Sequence, residues 1–184
     1  MLLATAMSID AQTSETKTGE RYGNTLNLGI GFGGYSGYYR YVGRTLPVVN
    51  LNYEFDVAPN FTLAPFISFY SYTNSYYWGN KNTPYRYYNY HESVIPIGIR
   101  GSLFLDKFLR AGSKWDFYLA GSAGFAIVNR SWDLGYEGDK NYYHHGNPLF
   151  LDLHIGTEYH FTQRIGGILD ISNGVSSIGL AFHK

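Results

Sequence analysis

Carboxylates and imidazoles alternate with apolar residues in Asp152-Leu153-His154-Ile155-Gly156-Thr157-Glu158-Tyr159-His160. In an extended strand, Asp152, His154, Glu158 and His160 would share one face, where such groups could ligate a divalent ion or relay protons. Strand rise spreads these four over about 25 Å, so one ion lies beyond them unless other strands contribute. His144-His145 is a second, weaker metal candidate. The same parity puts Glu54, Asp56, Asp116 and Asp170 on inward positions, with Arg100 as the lone strand-interior cation. Buried charges must be paired. The expected arrangement is therefore an interior hydrogen-bond network around Arg100 that includes Glu54, Asp116, Asp152 and Glu158, with Arg100 neutralising part of the acidic cluster, and no metal or cofactor is expected. Gly29-Ile30-Gly31-Phe32-Gly33-Gly34 formally matches the dinucleotide-binding glycine pattern. That chemistry needs a helix N-terminus for the pyrophosphate, and here Tyr35-Ser36-Gly37-Tyr38 follows.

The elements that would hold these residues are written in a two-residue rhythm. In Val49-Asn50-Leu51-Asn52-Tyr53-Glu54-Phe55-Asp56 every odd position is apolar and every even one polar, the mark of a strand with one greasy face. The rhythm recurs about eight times: near 24–33, 47–57, 61–72, 93–105, 115–128, 148–161, 165–172 and 175–183. About ten residues suffice for a tilted strand to cross a bilayer. Small residues fill the opposite face, among them Gly29, Gly31, Ala64, Gly98, Ser102, Ala120, Gly124, Gly156, Gly179 and Ala181. A crowded lumen demands this and a water-facing sheet does not. All six lysines fall outside strand interiors. Outward aromatics gather at strand ends, with Phe55, Phe61, Trp115, Phe117, Tyr159, Phe161 and Phe182 at one rim and Phe32, Phe69 and Phe125 toward the other, as paired girdles would. The predicted fold is all-β, a closed antiparallel eight-stranded transmembrane β-barrel with a filled lumen. Pro65 and Pro96 each cost it one ladder hydrogen bond.

Composition agrees. The 184 residues carry no net charge, only 15% charged side chains and no cysteine, against about 25% charged in globular chains. Nucleic-acid binding, disulfide frameworks and thiolate metal sites are thereby disfavoured. Residues 1–11 read as the remnant of a signal peptide ending in a small residue, 12–23 as a flexible periplasmic lead-in, and 24–184 as the barrel. Turns at 58–60 and 162–164 are short, whereas 34–45, 71–92 and 129–146 read as long loops. This alternation suits an outer-membrane barrel with both termini in the periplasm.

Over 24–184 the pattern resembles the small eight-stranded outer-membrane barrels of the OmpX/OmpA/Opa type from Gram-negative bacteria. Ile178-Gly179-Leu180-Ala181-Phe182 resembles the terminal strand that outer-membrane insertion machinery reads, although His183-Lys184 follow the aromatic. Asp170-Ile171-Ser172-Asn173 resembles the His-x-Ser-Asn segment of barrel lipid A deacylases, where the resemblance implies a serine nucleophile and a histidine base. Here Asp170 stands at the histidine position and is a poor base near neutral pH. The chain is accordingly expected not to be an enzyme; a lipid A-modifying barrel and a small pore are the alternatives. What exceeds the needs of a barrel is the tyrosine of the outer loops: Tyr38 and Tyr39, then Tyr76, Tyr77, Trp78, Tyr85, Tyr87 and Tyr88. Interleaved with Arg and Asn, they form a candidate binding surface. The expected partners are outer-membrane lipid and lipopolysaccharide, with a protein or surface ligand at these loops.

Overall fold

The computed structural model describes residues 24–33, 44–45, 47–109, 112–141 and 148–184. Eight long strands run in chain order: β1 (Thr25–Gly33), β2 (Val48–Ala58), β3 (Phe61–Trp78), β4 (Arg86–Phe104), β5 (Trp115–Trp132), β6 (Leu149–His160), β7 (Ile165–Ser172) and β8 (Val175–His183). The two-residue segment Arg44–Thr45 prolongs the line of β2 along β3. A single turn of helix, α1 (Asp106–Leu109), lies between β4 and β5. Every neighbouring pair is antiparallel, and β1 closes on β8 from Thr25↔His183 to Gly33↔Val175. The sheet is therefore a closed eight-stranded barrel with no free edge among the described strands.

Side-chain parity follows the sequence pattern. Leu28, Ile30, Leu51, Ile67, Ile99, Phe125, Leu153, Ile155, Ile178 and Leu180 all point outward and are exposed. Thr25, Asn27, Glu54, Thr62, Ala64, Ser102, Ser122, Asp152 and Asp170 are buried inside. A soluble barrel would bury the apolar face and wet the polar one. The inversion is stable only where hydrocarbon replaces water outside, so this is a transmembrane barrel. The small inward residues set how closely the walls approach. Gly98 and Gly124 face each other across β4 and β5, and a Cβ on Gly98 would lie 2.2 Å from the Ala123 carbonyl oxygen. Pro65 lies on the exposed face of β3, and Pro96 is buried inside β4.

The strand lengths correct the sequence reading. β3, β4 and β5 outrun the expected 61–72, 93–105 and 115–128, ending or starting at Trp78, Arg86 and Trp132. Most of the supposed long loop 71–92 is a ladder, paired from Ser71↔Ser93 to Trp78↔Arg86 and joined by a short tip. Beyond the apolar belt both faces of the strands are polar or aromatic, so the alternation that reveals a strand loses its contrast there. Residues 1–23, the first loop with Tyr38 and Tyr39, and His144-His145 lie outside the described residues.

Candidate functional site: the lumen network and the aromatic crown

Four strands bring polar side chains together in mid-barrel. Arg100 of β4 forms a short ion pair with Asp170 of β7, their side chains being 12% and 3% exposed. The Asp170 carboxylate also accepts from the Tyr118 hydroxyl at 2.8 Å and faces His154 Nδ1 at 2.7 Å. His154 Nε2 in turn lies 3.0 Å from Ser122 Oγ. Tyr118 reaches this point because Gly156 opposite it has no side chain; a Cβ there would lie 2.2 Å from the phenol ring. Ser122, His154 and Asp170 thus stand in the order of nucleophile, base and orienting acid. The space beside them is a cavity of about 40 Å³, and a second of about 30 Å³ lies against Arg100 and Tyr118. Such volumes hold a water molecule or two, not an acyl chain. The geometry is that of a plug.

The interior charges divide among several partners. Arg100 pairs with Asp170, whereas Glu54 accepts from Asn27 Nδ2 (2.9 Å) and Thr62 Oγ1 (3.0 Å). Asp116 meets His160 Nε2 at 2.7 Å, and Glu158 meets His183 Nε2 at 2.7 Å. Asp152 accepts from Ser172 Oγ (2.9 Å) and from the amides of Gly174 (2.9 Å) and Val175 (3.2 Å). Asp116, Asp152 and Glu158 thus lie in the interior with imidazoles, a hydroxyl and turn amides as their nearest partners, and Arg100 neutralises Asp170. The Ser172 hydroxyl is spent on Asp152, and Asn173 Oδ1 accepts from the Leu153 amide at 2.7 Å. The deacylase-like segment is therefore a turn clasp. Asp56, expected inward, is exposed beside the turn to β3. Sequence reasoning also missed a second interior cation. Arg130 lies 3.1 Å from Glu92, which is fully buried; both sit on strand extensions beyond the expected 93–105 and 115–128.

The extended strands carry a crown beyond the belt, at the end opposite Thr25 and His183. Its tyrosines separate by strand parity into two populations. Tyr72, Tyr88 and Tyr90 are buried inside, with Tyr136 from the segment after β5 packed among them. Trp132 and Tyr136 stack at 4.0 Å, and Tyr136 also contacts Tyr76, Trp78 and Tyr88. Tyr88, expected as a contact residue, is thus a core residue of the crown, and Tyr76 and Trp78 are half-buried beside it. The outward set is Tyr77, Tyr85 and Tyr87, which are 56%, 64% and 70% exposed. Tyr77 lies 5.8 Å from Tyr85 and 5.0 Å from Tyr87, centroid to centroid. Asp133 ties the segment after β5 to β4 by accepting from the Asn89 amide at 2.8 Å. That bond, with His91 Nε2 3.5 Å away, holds the Asp133 carboxyl below its ordinary range. Arg86 lies over the Tyr88 ring and donates to the Leu134 carbonyl at 3.2 Å.

No protein-family model and no curated protein sequence matches the chain. Among solved structures it is similar to a de novo designed transmembrane β-barrel, with 12% identity, 89% of this chain and 98% of that one covered, and a TM-score of 0.45. It is also similar to the outer membrane protein Ail of Yersinia pestis in a phospholipid nanodisc, with 9% identity, 86% and 98% coverage and a TM-score of 0.40. The crystal structure of Ail with the heparin analogue sucrose octasulfate gives 8% identity, 86% and 94% coverage and a TM-score of 0.43.

Proposed function

We propose that this protein is a non-enzymatic barrel of the bacterial outer membrane, with both termini in the periplasm, whose extracellular crown binds a surface or partner protein. One observation carries the reading. The strands run well past the lipid-facing belt and present Tyr77, Tyr85 and Tyr87 together on an outer face, backed by an internal aromatic core. A barrel needs no such extension to cross a bilayer. Tyrosine in a fixed geometry supplies large contact area at small entropic cost. Lipopolysaccharide and outer-membrane lipid surround the belt below. The filled lumen supports neither a pore nor an enzyme that draws substrate inside.

The test uses bacteria displaying the parent or the triple variant Tyr77→Ser/Tyr85→Ser/Tyr87→Ser, scored for retention on protein-coated and lipopolysaccharide-coated surfaces. These side chains lie outside the crown core, so heat-modifiable gel mobility should be unchanged. Retention should fall by the equivalent of about 2 kcal/mol or more, the scale of an aromatic hot spot. Equal retention of parent and variant on every surface would remove the binding role and leave the crown a structural cap.

A further inference from the structure

Glu158 and His160 lie on β6 and His183 on β8, with β7 between them. They meet because β7 offers no side chain at Gly166: a Cβ there would lie 1.9 Å from Glu158 Oε1. Through this gap Glu158 Oε1 lies 2.7 Å from His183 Nε2 and 3.7 Å from His160 Nδ1. One donor atom from each of the three residues falls within 4.8 Å of the others. Donors around a tetrahedral zinc ion, at bonds of about 2.0–2.1 Å, stand about 3.3 Å apart. The cluster brackets that spacing before any side chain moves.

The far side of each imidazole is also occupied. His160 Nε2 lies 2.7 Å from Asp116 Oδ2, and His183 Nδ1 lies 3.0 Å from Thr25 Oγ1. Such outer contacts fix ring orientation and tautomer in metal sites, leaving the opposite nitrogen free to ligate. Both near nitrogens point at one carboxylate. A cavity of about 440 Å³ opens beside the cluster at the end of the barrel holding Thr25 and His183, with room for a water as fourth ligand.

We propose that Glu158, His160 and His183 form a binding site for one zinc-like divalent transition-metal ion, with Asp116 and Thr25 as outer partners. Two imidazoles and one carboxylate suit zinc and its neighbours; calcium and magnesium prefer all-oxygen sets. With the metal on His183 Nε2 the single ring proton sits on Nδ1, where Thr25 Oγ1 accepts it. The ion ties β6 to β8 across β7, next to the seam where β8 meets β1. The site is at the opposite end from the crown and does not depend on the crown's role.

The experiment titrates the full chain, folded in detergent micelles or nanodiscs, with Zn²⁺ alone by calorimetry, and with Co²⁺ for its absorption spectrum. All proteins carry His144→Ala/His145→Ala, which removes the adjacent histidine pair as a second metal ligand set. One ion per barrel and the intense visible bands of tetrahedral Co²⁺ are expected. His183→Ala and His160→Ala should each weaken Zn²⁺ binding by more than about 100-fold, and Asp116→Asn by about 10–100-fold, as for outer partners. Gly166→Ala, which fills the gap, should abolish binding, while heat-modifiable mobility verifies that each variant is folded. Glu158→Gln keeps the side-chain shape and loses a charged ligand, and should also weaken binding if Glu158→Ala fails to fold. No saturable Zn²⁺ uptake by the parent, or binding unchanged in both His183→Ala and Glu158→Gln, would overturn the assignment.

Discussion

Arg100→Leu isolates the energetic weight of the lumen plug. The Arg100 and Asp170 side chains are 12% and 3% exposed, so the substitution leaves a carboxylate that water cannot reach freely. Removing one partner of a buried pair costs about 3–5 kcal/mol. Asp170 keeps the Tyr118 hydroxyl at 2.8 Å and the His154 ring at 2.7 Å. Hydrogen bonds to a charged group are each worth about 1.5–3 kcal/mol, which sets the expected loss near the lower end, about 3 kcal/mol. The guanidinium also lies 5.2 Å from the Tyr118 ring centre, and losing that contact adds about 0.5 kcal/mol or more. Urea unfolding in micelles, followed by the fluorescence of the three tryptophans and by gel mobility, measures the change. The double variant Arg100→Leu/Asp170→Asn removes the stranded charge and should recover about 2 kcal/mol, within the usual range for groups in contact. A single-variant cost under about 1 kcal/mol, or a double variant no better than Arg100→Leu, would refute the claim that this pair is the energetic centre of the plug.

Two further outcomes follow from parity and from the crown. Leu153, 72% exposed on the outer face, should lose about 2–4 kcal/mol on substitution by Lys if it sits near the bilayer midplane. Asn52→Lys on the inner face, where Glu54 and Glu158 line the adjoining cavity, should cost less than Leu153→Lys in the same urea assay; equal costs would overturn the assignment of faces. The Asn89–Asp133 contact gives a pH signature of known sign. The Asn89 amide holds the folded-state pKa of Asp133 below its ordinary value, so the contribution is present above the unfolded pKa of about 3.9 and is lost as pH falls through the lowered value. Amide hydrogen exchange at Asn89 should therefore lose protection, once corrected for intrinsic rate, between about pH 6 and about pH 2. Unchanged protection across that range would show that Asp133 does not anchor the crown.

The barrel is legible because one face of every strand has to be apolar over the stretch that lipid covers. Parity separates Leu51, Leu153 and Ile178 from Asn52, Asp152 and Gly179, and the small residues of one face with the end-clustered aromatics of the other tell which is inside. Legibility failed where lipid stops imposing that contrast. Asn129-Arg130-Ser131-Trp132 and Tyr72-Thr73-Asn74-Ser75-Tyr76 are strands with no greasy side, so Arg130 and Glu92 were overlooked as a buried pair. His183 could have been placed inward, because Phe182 was already assigned outward. Its meeting with Glu158 was hidden because parity gives a residue's face and not which strands share a height. The partner of Arg100 is open for the same reason: parity gathers the inward acids, Asp170 among them, and register selects Asp170.

The seam between β1 and β8 joins the two ends of the barrel sequence through nine residue pairs. Before it forms, the remaining ladders could already be complete, yet the sheet would carry two unpaired borders. In hydrocarbon each unsatisfied backbone group costs several kcal/mol, so an open barrel at membrane depth bears a penalty larger than the stability of most domains. Closure and entry into the lipid must therefore advance together, with the borders shielded by water or by another protein's strand until they meet. The seam pairs residues some 150 positions apart, and contacts of such sequence separation are the slow ones to form. The chain's passage into the membrane is in this sense timed by its longest-range pairing.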